Sequence, residues 1–210
     1  MQFSDWRNRL FPSPRWDEEL YWALDLETSG LRIGDDAILS VGMVPIRNGV
    51  IRYGERFASM VCPPPGQTVS TEGLRAHHLI PAEYADAPPI GDVLPHIDRR
   101  LREGILLVHH ARLDVGFLKN AYRRLERERP PLRVLDTIDL LLALHLRKHR
   151  FTPHPPRVRT GLSDVRVDLG LPAHTQHEAL GDAVATAELF LLLRHRLATC
   201  RLRELPVRRE

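Results

Sequence analysis

Two carboxylates raise the first question of chemistry. Asp25 and Glu27 stand in Tyr21-Trp22-Ala23-Leu24-Asp25-Leu26-Glu27-Thr28-Ser29-Gly30, a stretch that begins apolar and ends in acids, hydroxyls and a glycine. Spaced by two, they project from the same face of a strand. Like charges held that close repel, and burying them costs free energy unless something positive lies between them. Oxygen ligands in this pattern suit Mg²⁺ or Mn²⁺. Two further acids stand where they could join the pair. Asp114 falls in the first turn of a helix that follows an apolar run, and Asp182 falls at the start of the last long helix. A helix N-terminus favours a carboxylate on dipole grounds alone, which is the structural alternative for Asp114. His177 precedes Asp182 by five residues. That is slightly more than one helical turn, so both can approach one pocket.

The elements that must carry these residues follow from hydrophobic pattern. Tyr21 to Leu26 reads as a buried strand, Ala37 to Arg47 as a second and Val50 to Met60 as a third, with Asn48-Gly49 a type I′ hairpin signal between the last two. Ser70 or Thr71 can cap a short helix through Leu74 to His78. A helix over Ile90 to Arg102 follows, which Pro95 delays or kinks. Ile105 to Val108 is an apolar strand, and Ala111 to Arg129 has helical spacing up to Pro130-Pro131. Val134 to Asp136 is a short strand, and Thr137 to Lys148, Leu162 to Leu169 and Glu178 to Leu197 are helices. The order implies an α/β domain whose mixed central sheet is antiparallel in its first three strands, with helices on both faces.

We divide the chain into an N-terminal arm over 1–20, one domain over 21–199 and a short basic tail over 200–210. Trp6, Leu10, Phe11 and Trp16 are expected to pack the arm onto the domain, the functional alternative being a partner-binding segment. Arg147 to Arg159 holds five basic residues, three prolines and no acid. It reads as an exposed loop, either a solvated connection or a contact with a phosphate backbone near the site.

Bulk composition narrows the class. The chain has 210 residues, 43% hydrophobic and 27% charged, with a formal net charge of +3 carried mostly by arginine. That is ordinary for a globular protein and compatible with a polyanionic partner. Cys62 and Cys200 have no CxxC partner, which speaks against a disulfide framework and a structural zinc site. No basic-then-apolar leader and no apolar run of about 20 residues is present, so no membrane partner and a cytoplasmic location are expected.

Three segments together resemble a known family. Asp25-Leu26-Glu27-Thr28, His110-Ala111-Arg112-Leu113-Asp114 with Phe117-Leu118, and His177 through Asp182 are similar, in order, to the DxET, NAxFDxxFL and HxAxxDA motifs of the DEDDh, or DnaQ-like, 3′–5′ exonucleases. Asp136-Thr137 and His78-Leu79-Ile80 resemble two lesser segments of that family, and the resemblance covers roughly Tyr21 to Leu197. His110 stands where the family usually has asparagine, and Leu113 where it usually has phenylalanine.

The resemblance implies an RNase H-like exonuclease fold and metal-dependent hydrolysis of phosphodiester bonds at nucleic-acid 3′ ends, DNA favoured, with release of 5′-mononucleotides. It implies two divalent cations, Mg²⁺ or Mn²⁺, held by Asp25, Glu27, Asp114 and Asp182, with His177 as general base. Thr28, Ser29 and Gly30 would seat the terminal 3′-hydroxyl, with Leu31, His78 and His110 as further substrate contacts. A single-stranded 3′ end is the implied partner. The alternatives are a polymerase III epsilon-type proofreading subunit docked on a replicative polymerase, an RNA-trimming exoribonuclease, and a binding module with an inactive site.

Overall fold

In the computed structural model, β1 (Tyr21–Thr28) is the axis of a mixed sheet. Residues 13–65, 81–174 and 177–210 are described. On one side β1 pairs antiparallel with β2 (Ile38–Arg47), with Asp25 opposite Gly42 and Glu27 opposite Ser40. On the other it pairs in parallel with β5 (Ile105–Val108), which pairs in parallel with β6 (Arg133–Asp136). Asn48 and Gly49 take the positive φ values, 53° and 71°, that a type I′ hairpin requires.

The third strand is broken where a continuous one is expected. β3 (Val50–Ile51) is followed by a 3₁₀ turn at Tyr53–Glu55, and β4 (Phe57–Met60) then returns to the same edge of β2. Pro45 accounts for the break. Its carbonyl accepts from the Arg52 N–H at 2.8 Å, but it has no N–H to return, so the ladder stops there.

The sheet divides the core by residue parity. Trp22, Leu24, Leu106 and Val108 face one layer, built from α2 (Ile90–Glu103) and α3 (Ala111–Arg124), which follow the short α1 (Pro81–Tyr84). Tyr21, Ala23, Ile105 and Leu107 face the other, built from α4 (Thr137–Lys148), α5 (Leu162–Leu169) and α6 (Ala179–Leu197). The expected α/β architecture with helices on both faces is what the chain adopts.

One helix keeps its expected start without the delay that Pro95 could bring, and another falls short. Pro95 lies inside α2, which nevertheless begins at Ile90. The carbonyl that Pro95 leaves without an intrahelical donor is that of Gly91, and the Arg127 guanidinium donates to it at 2.8 Å. α3 ends at Arg124, five residues short of the expected Arg129. Beyond Leu125 the sequence Glu126-Arg127-Glu128-Arg129 offers nothing apolar to bury, and Glu126 turns left-handed with φ 52°.

The N-terminal segment packs through Trp16, which is buried beside Tyr21 and Phe190, its carbonyl accepting from the Tyr21 hydroxyl at 2.8 Å. Trp6, Leu10, Phe11 and the expected helix through Leu74 to His78 lie outside the described residues. At the other end Leu205 is buried and β7 (Arg208–Arg209) pairs antiparallel with β6. No described helix is long and apolar enough to cross a membrane.

Candidate active site

Strand parity places the acids. Asp25 and Glu27 continue the series Tyr21, Ala23 and so face the layer that holds α6. α6 begins directly over them because β2 carries a glycine at the crossing. A Cβ on Gly42 would lie 2.2 Å from the Ala179 carbonyl carbon and 2.2 Å from the Leu180 nitrogen. Backbone therefore rests on backbone, and Asp182, in the first turn of α6, reaches the strand. One carboxylate oxygen from each of Asp25, Glu27 and Asp182 lies within 4.8 Å of the others.

Asp114 approaches from the first turn of α3. It is buried, and the backbone of Leu26 and of Asp114 itself favours its charged form against that burial. It is not one of the three that share a single point, but its charge is felt by Asp25. Burial, then the charges of Asp114, Asp182 and Glu27, holds the Asp25 carboxyl well above the usual carboxylate range. Burial is also the main cause that raises Asp114 and Asp182. An oxygen-only donor set with raised proton affinity fits a hard divalent cation, which would replace the protons.

Histidines frame the acids. His177 precedes α6 with φ 63°, and its N–H donates to Asp182 Oδ2 at 2.9 Å. Its side chain is exposed and, with Asp25, Asp182 and His110, lines an open cleft of about 460 Å³. The other Asp182 oxygen meets His174 Nε2 at 2.7 Å. Sequence reasoning gave His174 no role, because one of 11 histidines carries little signal without a motif.

His110 is the N-cap of α3 and is left-handed, φ 71° and ψ 62°. Asparagine, aspartate and histidine tolerate that conformation best among non-glycine residues. The exchange of the family's asparagine for histidine therefore keeps the backbone requirement. Asp136 fixes this corner, its oxygens accepting from the N–H groups of His110 (3.1 Å), Ala111 (2.8 Å) and Ile138 (3.0 Å). One carboxylate thus caps the starts of both α3 and α4. His109 Nε2 and His110 Nε2 both reach the Thr160 carbonyl, at 2.7 and 2.9 Å. Burial lowers His109 to about 4, so it is neutral and donates through one nitrogen only.

The residues expected to seat substrate divide. Thr28 and Ser29 are buried and their hydroxyls serve the turn itself, Thr28 Oγ1 donating to the Gly30 carbonyl at 2.7 Å and Ser29 Oγ accepting from the Ala37 N–H at 2.9 Å. Gly30 packs on Asp36, where a Cβ would come 2.6 Å from the carboxylate. Leu31 is 75% exposed. Backbone and Leu31 are what this turn offers a ligand. His78 lies outside the described residues.

Comparison with known proteins decides the family. The RNase_T exonuclease family model matches residues 22–190. The chain belongs to this exonuclease family. It is the DnaQ-like group that the three motifs resemble, and it makes the chain a hydrolytic nuclease acting on nucleic acid. The PolC-type DNA polymerase III of Bacillus subtilis is 31% identical over 177 residues, 83% of this chain and 11% of that protein. The PolC-type enzyme of Oceanobacillus iheyensis is 30% identical over 182 residues, 86% of this chain and 12% of that protein. The chain thus spans about one eighth or less of these curated relatives. In fold it is similar to the nuclease domain of 3′hExo, a DEDDh family member bound to rAMP, with TM-score 0.67 and 15% identity over 93% of this chain and 98% of that one. Exonuclease X, in complex with 5′ overhanging duplex DNA, superposes with TM-score 0.61 and 22% identity over 83% and 91%.

Proposed function

We propose that this chain is a metal-dependent 3′–5′ exonuclease that removes 5′-mononucleotides from single-stranded ends, DNA favoured. The observation that carries the reading is the convergence of Asp25, Glu27 and Asp182 within 4.8 Å, at the edge of a cleft that His177 also lines. Asp25, Glu27, Asp182 and, beside them, Asp114 would hold two Mg²⁺ or Mn²⁺ ions. Bound there, the cations lower the pKa of water and offset charge on the phosphoryl oxygens. His177, exposed and next to Asp182, accepts the proton of the attacking water. The backbone of Thr28 to Gly30 meets the terminal 3′-hydroxyl, and Leu31 packs on the last sugar or base. His110, and by resemblance His78, contact the strand as it enters.

DNA is favoured because the curated relatives are DNA polymerases. The same likeness supports a second reading, action beside a replicative polymerase as a proofreading unit. The two free cysteines suit a reducing, cytoplasmic setting. We take residues 21–199 as the catalytic unit, flanked by the arm over 1–20 and the tail over 200–210.

The test is release of mononucleotides from strands labelled at either end, DNA and RNA in parallel, with and without Mg²⁺. Asp25→Ala and His177→Ala are expected to lose at least about 10²-fold in rate. Wild-type rates in both variants would remove the site assignment, and loss of label from the 5′ end first would remove the polarity. Co-elution with a replicative polymerase on gel filtration tests the second reading.

A further inference from the structure

The longest acid-free stretch of the chain runs from Leu140 to Ser163 and includes Arg147, Lys148, Arg150, Arg157 and Arg159. It covers all but the first turn of α4, the connection and the first two residues of α5. With the far side of α5 it lines an open cavity of about 780 Å³, larger than the catalytic cleft. Asp164 and Asp168 pair with Arg159. Among the described residues Arg147, Lys148, Arg150 and Arg157 have no ion pair, and all four are exposed. Unneutralised cations this close together repel unless an anion joins them.

Phe151 stands in sequence between these basic residues, 90% exposed, with the Arg150 guanidinium 5.4 Å from its ring centroid. Folding gains almost nothing from an aromatic ring left in water. Aromatic faces set among basic side chains suit a single strand, whose bases stack and whose phosphates pair. The basic cavity, which Lys148 and Arg157 line, also adjoins the site. The start of α5, Gly161 to Asp164, lines the catalytic cleft, while Val165 and Asp168 one turn on line the basic cavity. The Thr160 carbonyl at their junction is held by His109 and His110.

We propose that this face is a second nucleic-acid subsite, where Lys148, Arg150 and Arg157 contact phosphates and Phe151 stacks on a base of the strand that has not yet entered the cleft. The inference rests on the nuclease reading above and adds to it a surface that sets affinity for long strands. The sugar is left open by this chemistry, so DNA and RNA form two arms of the test.

The experiment compares the parent protein with an Arg150→Ala/Phe151→Ala/Arg157→Ala variant, all three positions being exposed. Binding of labelled strands of about 15 nucleotides is followed by anisotropy in EDTA, so that hydrolysis does not compete. Affinity is expected to fall about tenfold or more, and the log–log salt slope to become shallower by about 1.4, or about 0.7 for each of two lost phosphates. Nucleotide release from a strand of about 3 residues is expected to stay unchanged. Loss in either arm supports the subsite and assigns its sugar. Unchanged affinity and slope in both arms would overturn it, as would an equal loss on the short strand, which would put these residues inside the cleft. A parent protein that binds long strands but releases no nucleotide would defeat the nuclease reading alone.

Discussion

Gly42 is the position whose change tests the construction of the site most directly. It lies on β2 opposite Asp25 and next to Ala58 of β4, so the strand is pinned on both edges. Over it rest the Ala179 carbonyl carbon and the Leu180 nitrogen, each 2.2 Å from where a Cβ would stand. Carbon atoms in contact need about 3.5 Å. In Gly42→Ala the start of α6 must therefore retreat by about 1.3 Å, because a strand paired on both sides has less freedom than a helix end. Asp182 is three residues further along α6 and moves with it. Cation–oxygen bonds to Mg²⁺ tolerate only about 0.1–0.2 Å, and a displacement near 1 Å can cost about 10²-fold in rate.

The expected result is a folded protein destabilised by about 1–3 kcal/mol, or a melting temperature lower by about 2–12 °C at this size, with nucleotide release down about 10²-fold. Rates at saturating Mg²⁺ on a labelled strand, beside a thermal melt, provide the measurement. Gly34→Ala is the control, since nothing lies within 4 Å of a Cβ there. If Gly42→Ala keeps its rate within about threefold while Gly34→Ala does the same, close approach of α6 does not set the geometry of Asp182.

Two other perturbations follow from the same site. Asp25, Asp114 and Asp182 have raised carboxyls in the folded chain. The folded state therefore holds protons that the unfolded state releases, and stability in EDTA should fall as pH rises from about 4, the unfolded carboxylate value, through the raised values. Asp25→Asn should flatten that fall and melt a few degrees higher at neutral pH in EDTA, whereas Mg²⁺ should stabilise the parent more than the variant. A parent protein whose melting temperature rises with pH across this window in EDTA would contradict the electrostatics. His174→Ala removes the 2.7 Å hydrogen bond that orients Asp182 from the side away from His177. Nucleotide release at sub-saturating Mg²⁺ should fall about tenfold, with recovery at high Mg²⁺. No change in Mg²⁺ dependence would make His174 a bystander.

How much of this was legible in the sequence depends on whether the determinant is periodic or pairwise. The shared face of Asp25 and Glu27 follows from a period of two, and the structure places them together, with Asp182 joining them from α6. The break in the third strand was not read, since it depends on which edge of β2 Pro45 presents. That edge is known only once β1 and β3 have taken their sides. Helical spacing alone carries α3 to Arg129, but beyond Leu125 nothing apolar remains to bury. Gly42 could have been questioned, because a glycine inside an apolar strand marks close approach of another backbone. His174 and Thr160 could not, as each acts through a partner fixed only in three dimensions.

The same distinction explains why the site tolerates departures from the family's usual residues. What position 110 must supply is a left-handed backbone at an N-cap whose N–H reaches Asp136, and His110 supplies it with φ 71° and a 3.1 Å bond. Having met that requirement, the side chain is free for something an asparagine is too short to do. Its Nε2 joins that of His109 on the Thr160 carbonyl and so ties the end of the basic segment to the start of α3. Asp136, which caps α3 and α4 together, links both ends of that segment's frame to one carboxylate. A substitution that looks like a loss at the level of the motif is, at the level of the fold, a tether between the acids that would hold the cations and the arginines that would hold the strand.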